Sequence, residues 1–132
     1  MSVVARLVSV IGYPQTVPAD STDFSFKVDD GEIRAADLGG RLLLTREISR
    51  RTDDLTRLAA CAAGRILKED AVLYWDGRAE ALMLAQEIDA GASAETLRGS
   101  FEKFADSCDW WTARAGQEPA RSSFFPEMVI RP

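Results

Sequence analysis

The run Asp23-Phe24-Ser25-Phe26-Lys27-Val28-Asp29-Asp30-Gly31-Glu32-Ile33 alternates apolar and polar side chains and then breaks at an Asp-Gly pair. Phe24, Phe26 and Val28 fall on one side of an extended chain and Ser25 and Lys27 on the other, the signature of a strand with one buried face. Asp30-Gly31 predicts a tight hairpin turn, because a type I′ turn needs positive φ at both central residues and this pair tolerates it. Glu32 to Leu38 then returns as a second strand, weakened by Ala35 and Ala36. Gly39-Gly40 turns the chain again into a third strand, Arg41 to Ile48, with Leu42, Leu44 and Ile48 on one face and Leu43, Thr45 and Glu47 on the other. These segments predict a three-stranded antiparallel meander.

Working outward, Val3, Leu7 and Val10 with Val4, Val8 and Ile11 give two helical series that form one broad apolar stripe, with Ser2 as N-cap and Gly12 and Pro14 as the stop. Tyr13 to Thr22, with Pro14 and Pro18, reads as an irregular connection. Beyond the meander, Asp53 to Lys68 predicts a helix that opens on carboxylates and closes on a lysine, as the helix dipole favours. Its expected core stripe is Leu55, Leu58, Ala62 and Ile66. A second stripe of small residues, Ala59, Ala60, Ala63 and Gly64 with Leu67, suits either close packing on the domain's own sheet or a subunit interface.

Ala71 to Trp75 and Ala79 to Ile88 predict two strands joined at Asp76-Gly77. Apolar residues on both faces of the second suggest cover on two sides. Ser93 is expected to cap a long helix to about Arg114, in which Leu97, Phe101, Phe104, Cys108 and Trp111 form one seam. Trp110 falls off that seam, which suits a contact surface or packing under the tail. The expected fold is α+β: helix, three-stranded antiparallel meander, helix, two-stranded hairpin, long helix. Residues 1–115 are expected to form one domain. Residues 116–132, with Pro119, Pro126 and Pro132 around Phe124-Phe125 and Met128-Val129-Ile130, are expected to form an extended tail lying on the body or on a partner.

Charge and composition argue against several functions. A net charge of −5 disfavours a nucleic-acid binder, which neutralises phosphates with Lys and Arg. The chain contains no histidine, so the commonest general base and metal ligand are missing. Cys61 and Cys108 are too far apart for a metal motif and are expected to be buried free thiols. Asp29-Asp30 and Asp53-Asp54 sit at a turn and a helix start, where Asp is favoured for structural reasons. Ser122-Ser123 has no base to activate it, and Gly39-Gly40 lacks the residues of a phosphate loop. No catalytic, cofactor or metal site is expected, and no nucleic-acid partner. The opening Met1-Ser2-Val3-Val4-Ala5-Arg6 lacks the pattern of a signal peptide, and no apolar run is long enough to span a bilayer. The expected location is the cytoplasm. What remains is apolar surface in excess of one core, which favours a protein that binds proteins.

In the order of these elements, and in Phe24-Ser25-Phe26-Lys27-Val28-Asp29, Leu42-Leu43-Leu44, Ala71-Val72-Leu73-Tyr74-Trp75-Asp76-Gly77 and Glu80-Ala81-Leu82-Met83-Leu84-Ala85, the chain resembles the class I type III secretion chaperones, the Tir-chaperone (CesT-like) family. The final helix, Leu97 through Phe101, Phe104 and Trp110, resembles that family's closing helix. The resemblance spans Val3 to Arg114. It implies a non-catalytic homodimer that holds the N-terminal region of a secreted effector in extended, soluble and secretion-competent form. By position it implies a dimer interface at Ala59, Ala60, Ala63, Leu67, Val72 and Tyr74. It likewise implies effector contacts at Val4, Val8, Phe24, Phe26 and Leu43. A YbjN-like or regulatory protein-binding domain would use the same fold.

Overall fold

The computed structural model describes residues 1–29, 31–65 and 68–116. The elements are α1 (Val3–Ile11), β1 (Asp23–Val28), β2 (Gly31–Asp37), β3 (Arg41–Ser49), α2 (Thr52–Arg65), β4 (Val72–Asp76), β5 (Ala81–Asp89) and α3 (Ala94–Arg114). The strands form one antiparallel sheet in the order β1-β2-β3-β5-β4. The order of elements is the one the sequence predicts.

Capping fixes the two helices that cover the sheet. The Ser2 hydroxyl accepts from the Ala5 N–H, and Gly12, at φ +76°, ends α1 in the left-handed region. Ser93 caps α3 in the same way through the Thr96 N–H. The α3 seam Leu97, Phe101, Phe104, Cys108 and Trp111 is entirely buried, against Val4, Leu7 and Val8 of α1 and against Phe26, Ile33, Leu42, Leu44, Leu82, Leu84 and Ile88 of the sheet. Among the described residues, the opposite face of the sheet carries no helix comparable to these. Cys108 lies in the core, where burial pushes its thiol up to about 12. Both cysteines are free, with Cys108 buried and Cys61 only half-buried.

Three turns differ in their chemistry. Gly39 and Gly40, at φ +73° and +102°, occupy the centre of the β2–β3 turn, closed by the Leu38 N–H donating to the Arg41 carbonyl. Side chains rarely adopt such angles, so Gly40→Ala is expected to cost about 1 kcal/mol in a urea melt. At the first hairpin Val28 pairs with Gly31, so Gly31 begins the strand, without positive φ, and is not a central turn residue. Its use is space: a Cβ there would lie 2.9 Å from the Arg46 guanidinium. At Asp76-Gly77 the expected tight turn is a longer connection. Asp76 pairs with Ala81, its carboxylate accepts from the Arg78 and Ala79 N–H groups, and the positive φ falls on Glu80.

Strand β3 has a bulge between Glu47 and Ser49, which turns Ile48 and Ser49 both inward. Strand β2 pairs with β3 only from Arg34 onward, and Gly31–Ile33 pair with β1 alone. The sheet is therefore parted between the start of β2 and the end of β3.

Candidate protein-binding surfaces

Helix α2 is attached differently from the other two. Of its expected core stripe only Leu58 is fully buried; Leu55 and Ala62 are half-buried, and Ile66 lies outside the described residues. Polar contacts dominate the attachment. Asp54, 1% exposed, accepts from the Ser49 hydroxyl at 2.6 Å, from the Arg57 guanidinium, and from the Gly116 N–H at 3.1 Å. Burial pushes the Asp54 carboxyl up, but these donors outweigh it and hold the group below the usual carboxylate value. Arg57 also donates to the Arg114 carbonyl, and so joins α2 to the end of α3. Asp53, beside it, points outward and pairs with Arg51.

At its other end α2 is tied to α3 through Trp110. The guanidinium carbons of Arg65 and Arg114 lie 3.7 and 3.5 Å from the centre of its ring, and the Trp111 ring meets it edge-on. Arg65 also pairs with Glu69, whose other oxygen accepts from the Ser107 hydroxyl. Trp110 is therefore covered on both sides by arginine and is not a free contact aromatic.

This attachment leaves the small-residue stripe outward. Ala59, Ala60, Ala63 and Gly64 are exposed, so packing on the domain's own sheet does not account for them. Ala59 and Ala63 line a groove of about 190 Å³ with Val72 of β4 and the rim of Trp111. Val72 (55% exposed) and Tyr74 (38%) project from the face of β4 turned away from the core. Of the six expected interface positions, Ala59, Ala63 and Val72 meet in one groove. Ala60 and Tyr74 are exposed on the same two elements, and Leu67 lies outside the described residues.

The row continues past β4. By register, Val72 stands beside Ala85 and Tyr74 beside Met83, and Ala85 is followed by Thr45 of β3. Met83 and Ala85 are half-buried, so the second face of β5 is only partly covered, whereas the sequence suggests full cover. The alternation of β5 marks Met83 and Ala85 as a second apolar face, but periodicity does not show that no helix lies over it.

The five expected effector contacts do not form one surface. Val4, Val8 and Phe26 are spent in the monomer core. Leu43 is half-buried on the face opposite to them, since its neighbours Leu42 and Leu44 point into the core. Phe24 is half-buried on β1, where Tyr13 meets it and Phe26 edge-on at 5.5 and 5.1 Å. Beside this cluster, Ile11, Phe101 and Ala105 line a groove of about 330 Å³ between α1 and α3, rimmed by Arg98, Glu102 and Asp106. Strand β1 is also an open sheet edge. The Asp37 N–H bonds the Thr22 carbonyl, so alternation turns the backbone groups of Asp23, Ser25 and Lys27 outward. Tyr13 takes the Lys27 N–H through its hydroxyl, which leaves Asp23 and Ser25 on the edge.

The fold recurs in solved structures. A chain of the HopA1–SchA chaperone–effector complex superposes with a TM-score of 0.67 at 17% identity, over 84% of this chain and 91% of that one. A chain of the complex of the Yersinia pestis type III secretion chaperone SycH with a fragment of YscM2 gives 0.63 at 9% identity, over 83% and 96%. The chain has the fold of the type III secretion chaperones. YbjN from E. coli is also similar, at a TM-score of 0.57 and 14% identity over 78% of this chain and 84% of that one. No family model matches the sequence, and no curated protein does. Among the described residues, no group of His, Cys, Asp and Glu could hold a metal ion, and no helix is long and apolar enough to cross a membrane.

Proposed function

We propose that this protein is a non-catalytic dimeric chaperone that binds the extended N-terminal region of a secreted effector and keeps it soluble and competent for export. The observation that carries the reading is the pair of uncovered surfaces on opposite ends of a secretion-chaperone fold. At one end, the alanine face of α2 lies beside Val72 and Tyr74. At the other, the β1 edge lies beside the groove of Ile11, Phe101 and Ala105. The first suits a second copy, because small side chains let two helices approach closely and an isologous contact needs only one such patch. The second suits an extended client, which can add a strand at Asp23 and Ser25 and seat apolar side chains in the groove.

Phe24 is the one expected effector contact on this second surface that is not spent in the core. The regulatory alternative, a YbjN-like domain, uses the same sheet, and its weaker superposition gives it less support. The test is co-expression with the product of the adjacent gene, followed by affinity capture and light scattering. A 2:1 complex of chaperone and client is expected. A chain that captures no neighbouring product and stays monomeric at micromolar concentration overturns the reading.

A further inference from the structure

The row of α3 that borders the α1 groove carries charges the fold itself does not use. Arg98, Glu102 and Asp106 follow one another at intervals of four, so they stand in line along the helix. Arg98 is placed to pair with Glu102, but its guanidinium donates instead to the Val10 carbonyl at 2.7 Å. That carbonyl lies in the last turn of α1, and Pro14, four residues on, has no N–H to give it. Glu102 and Asp106 are left as an exposed like-charge pair one turn apart, an arrangement that mildly destabilises the helix carrying it. Among the described residues neither side chain makes an ion pair or hydrogen bond. Glu95, in the first turn of α3, suits the helix dipole; Glu102 and Asp106, in mid-helix, have no such use.

The groove beside this pair is apolar at its base. Phe101 is buried, Ile11 and Ala105 are half-buried, and Glu102 and Asp106 stand at the rim. Phe101 also packs on Phe26 of β1, with 4.9 Å between ring centres, so the groove shares a contact with the aromatic cluster of the open edge strand. An occupant that covers Phe101 and Ala105 therefore brings its flanking side chains to two carboxylates about 6 Å apart along the helix axis. Lys and Arg suit that position, because their apolar stems can lie on the groove while their cations reach the rim. The chain's net charge of −5 favours the approach of a basic segment in the same way.

We propose that this groove selects a basic segment of the client, with an apolar side chain over Phe101 and Ala105 and flanking Lys or Arg paired with Glu102 and Asp106. The inference rests on the chaperone reading and adds to it the charge of the segment that is held. In the test, random dodecapeptides displayed on phage are selected against the full-length wild type, and the enriched peptides are then synthesised. They are expected to combine Lys or Arg with an apolar residue. By fluorescence anisotropy they should bind Glu102→Lys/Asp106→Lys about tenfold more weakly, because two attractions become two repulsions. Asp70→Lys/Glu80→Lys, which makes the same change of charge at exposed positions flanking β4, should bind as the wild type does. Glu102→Gln/Asp106→Asn should lie between, lose most of the salt dependence and melt no lower than the wild type. Enriched peptides with no excess of cations, equal binding by all chains, or no enrichment at all overturns the proposal. A neighbouring gene product captured equally by the wild type and Glu102→Lys/Asp106→Lys overturns it too, while upholding the chaperone reading. Basic peptides that bind as expected while no neighbouring product is captured uphold the groove and count against the chaperone reading alone.

Discussion

Asp54→Ala is expected to lower the stability of this protein by about 3 kcal/mol, the low end for breaking a buried ion pair, and the melting temperature by about 10 °C. The carboxylate is almost wholly enclosed and serves three donors from three parts of the chain: Ser49 on the bulged end of β3, Arg57 on α2 and the backbone of Gly116 after α3. Removing it strands those donors where water does not readily replace it, and that is costlier than the net value of the bonds themselves. Asp54→Asn keeps the shape but replaces one acceptor with a donor facing other donors, so most of the loss remains.

The sign with pH follows from the direction of the shift. The folded carboxyl titrates below the 3.8 of the unfolded chain, so its stabilisation is complete above that value and is lost as pH falls through the lower, folded one. In urea melts the gap between wild type and Asp54→Asn should be full at pH 7 and shrink below pH 3.8. Asp53→Asn serves as the control, because Asp53 is paired with Arg51 at the surface and such pairs contribute little. A pH-independent gap would assign the loss at Asp54 to packing.

The sequence makes α1, α3 and the meander legible because caps and periodicity are local signals. Ser2, Gly12 and Ser93 act where they stand, and the α3 seam is buried residue for residue. The first hairpin is shifted by one residue for a reason that no local signal carries: Gly31 makes room for a guanidinium from the neighbouring strand β3. At the second hairpin the carboxylate of Asp76 shapes the connection, and Glu80 takes the left-handed conformation that Gly77 was expected to supply. Helix α2 is the least legible element. Its pattern suggests an apolar stripe facing the sheet, yet Asp54, which sequence reasoning treats as an ordinary first-turn carboxylate, is its other fully buried side chain. The binding surfaces show the same limit. Periodicity marks Val4, Val8, Phe26 and the alanines of α2 alike as apolar, and only the tertiary packing shows that the first three are consumed in the monomer while Ala59, Ala60 and Ala63 remain outside.

Ala63→Arg is expected to convert the proposed dimer to a monomer, with a loss of association of at least a hundredfold. Ala63 is exposed, nothing lies close to a side chain at its neighbour Gly64, and the groove beside it is floored by Val72 and Leu73. In the monomer an arginine there extends into water, so the fold and melting temperature should be unchanged within about 0.5 kcal/mol, as for surface substitutions elsewhere. In a two-fold interface the same substitution occurs twice. Each copy then brings a long cation into a contact shaped for a methyl group, and two like charges face each other across a low-dielectric seam. At 1.4 kcal/mol per decade, a cost of about 3 kcal/mol gives the hundredfold loss. Sedimentation or light scattering across a dilution series reads the change directly, and Ala63→Ser, which is small and uncharged, should retain the dimer. An unaltered mass for Ala63→Arg would move the subunit boundary off α2 and leave the Val72 and Tyr74 face of β4 as the surface to probe next.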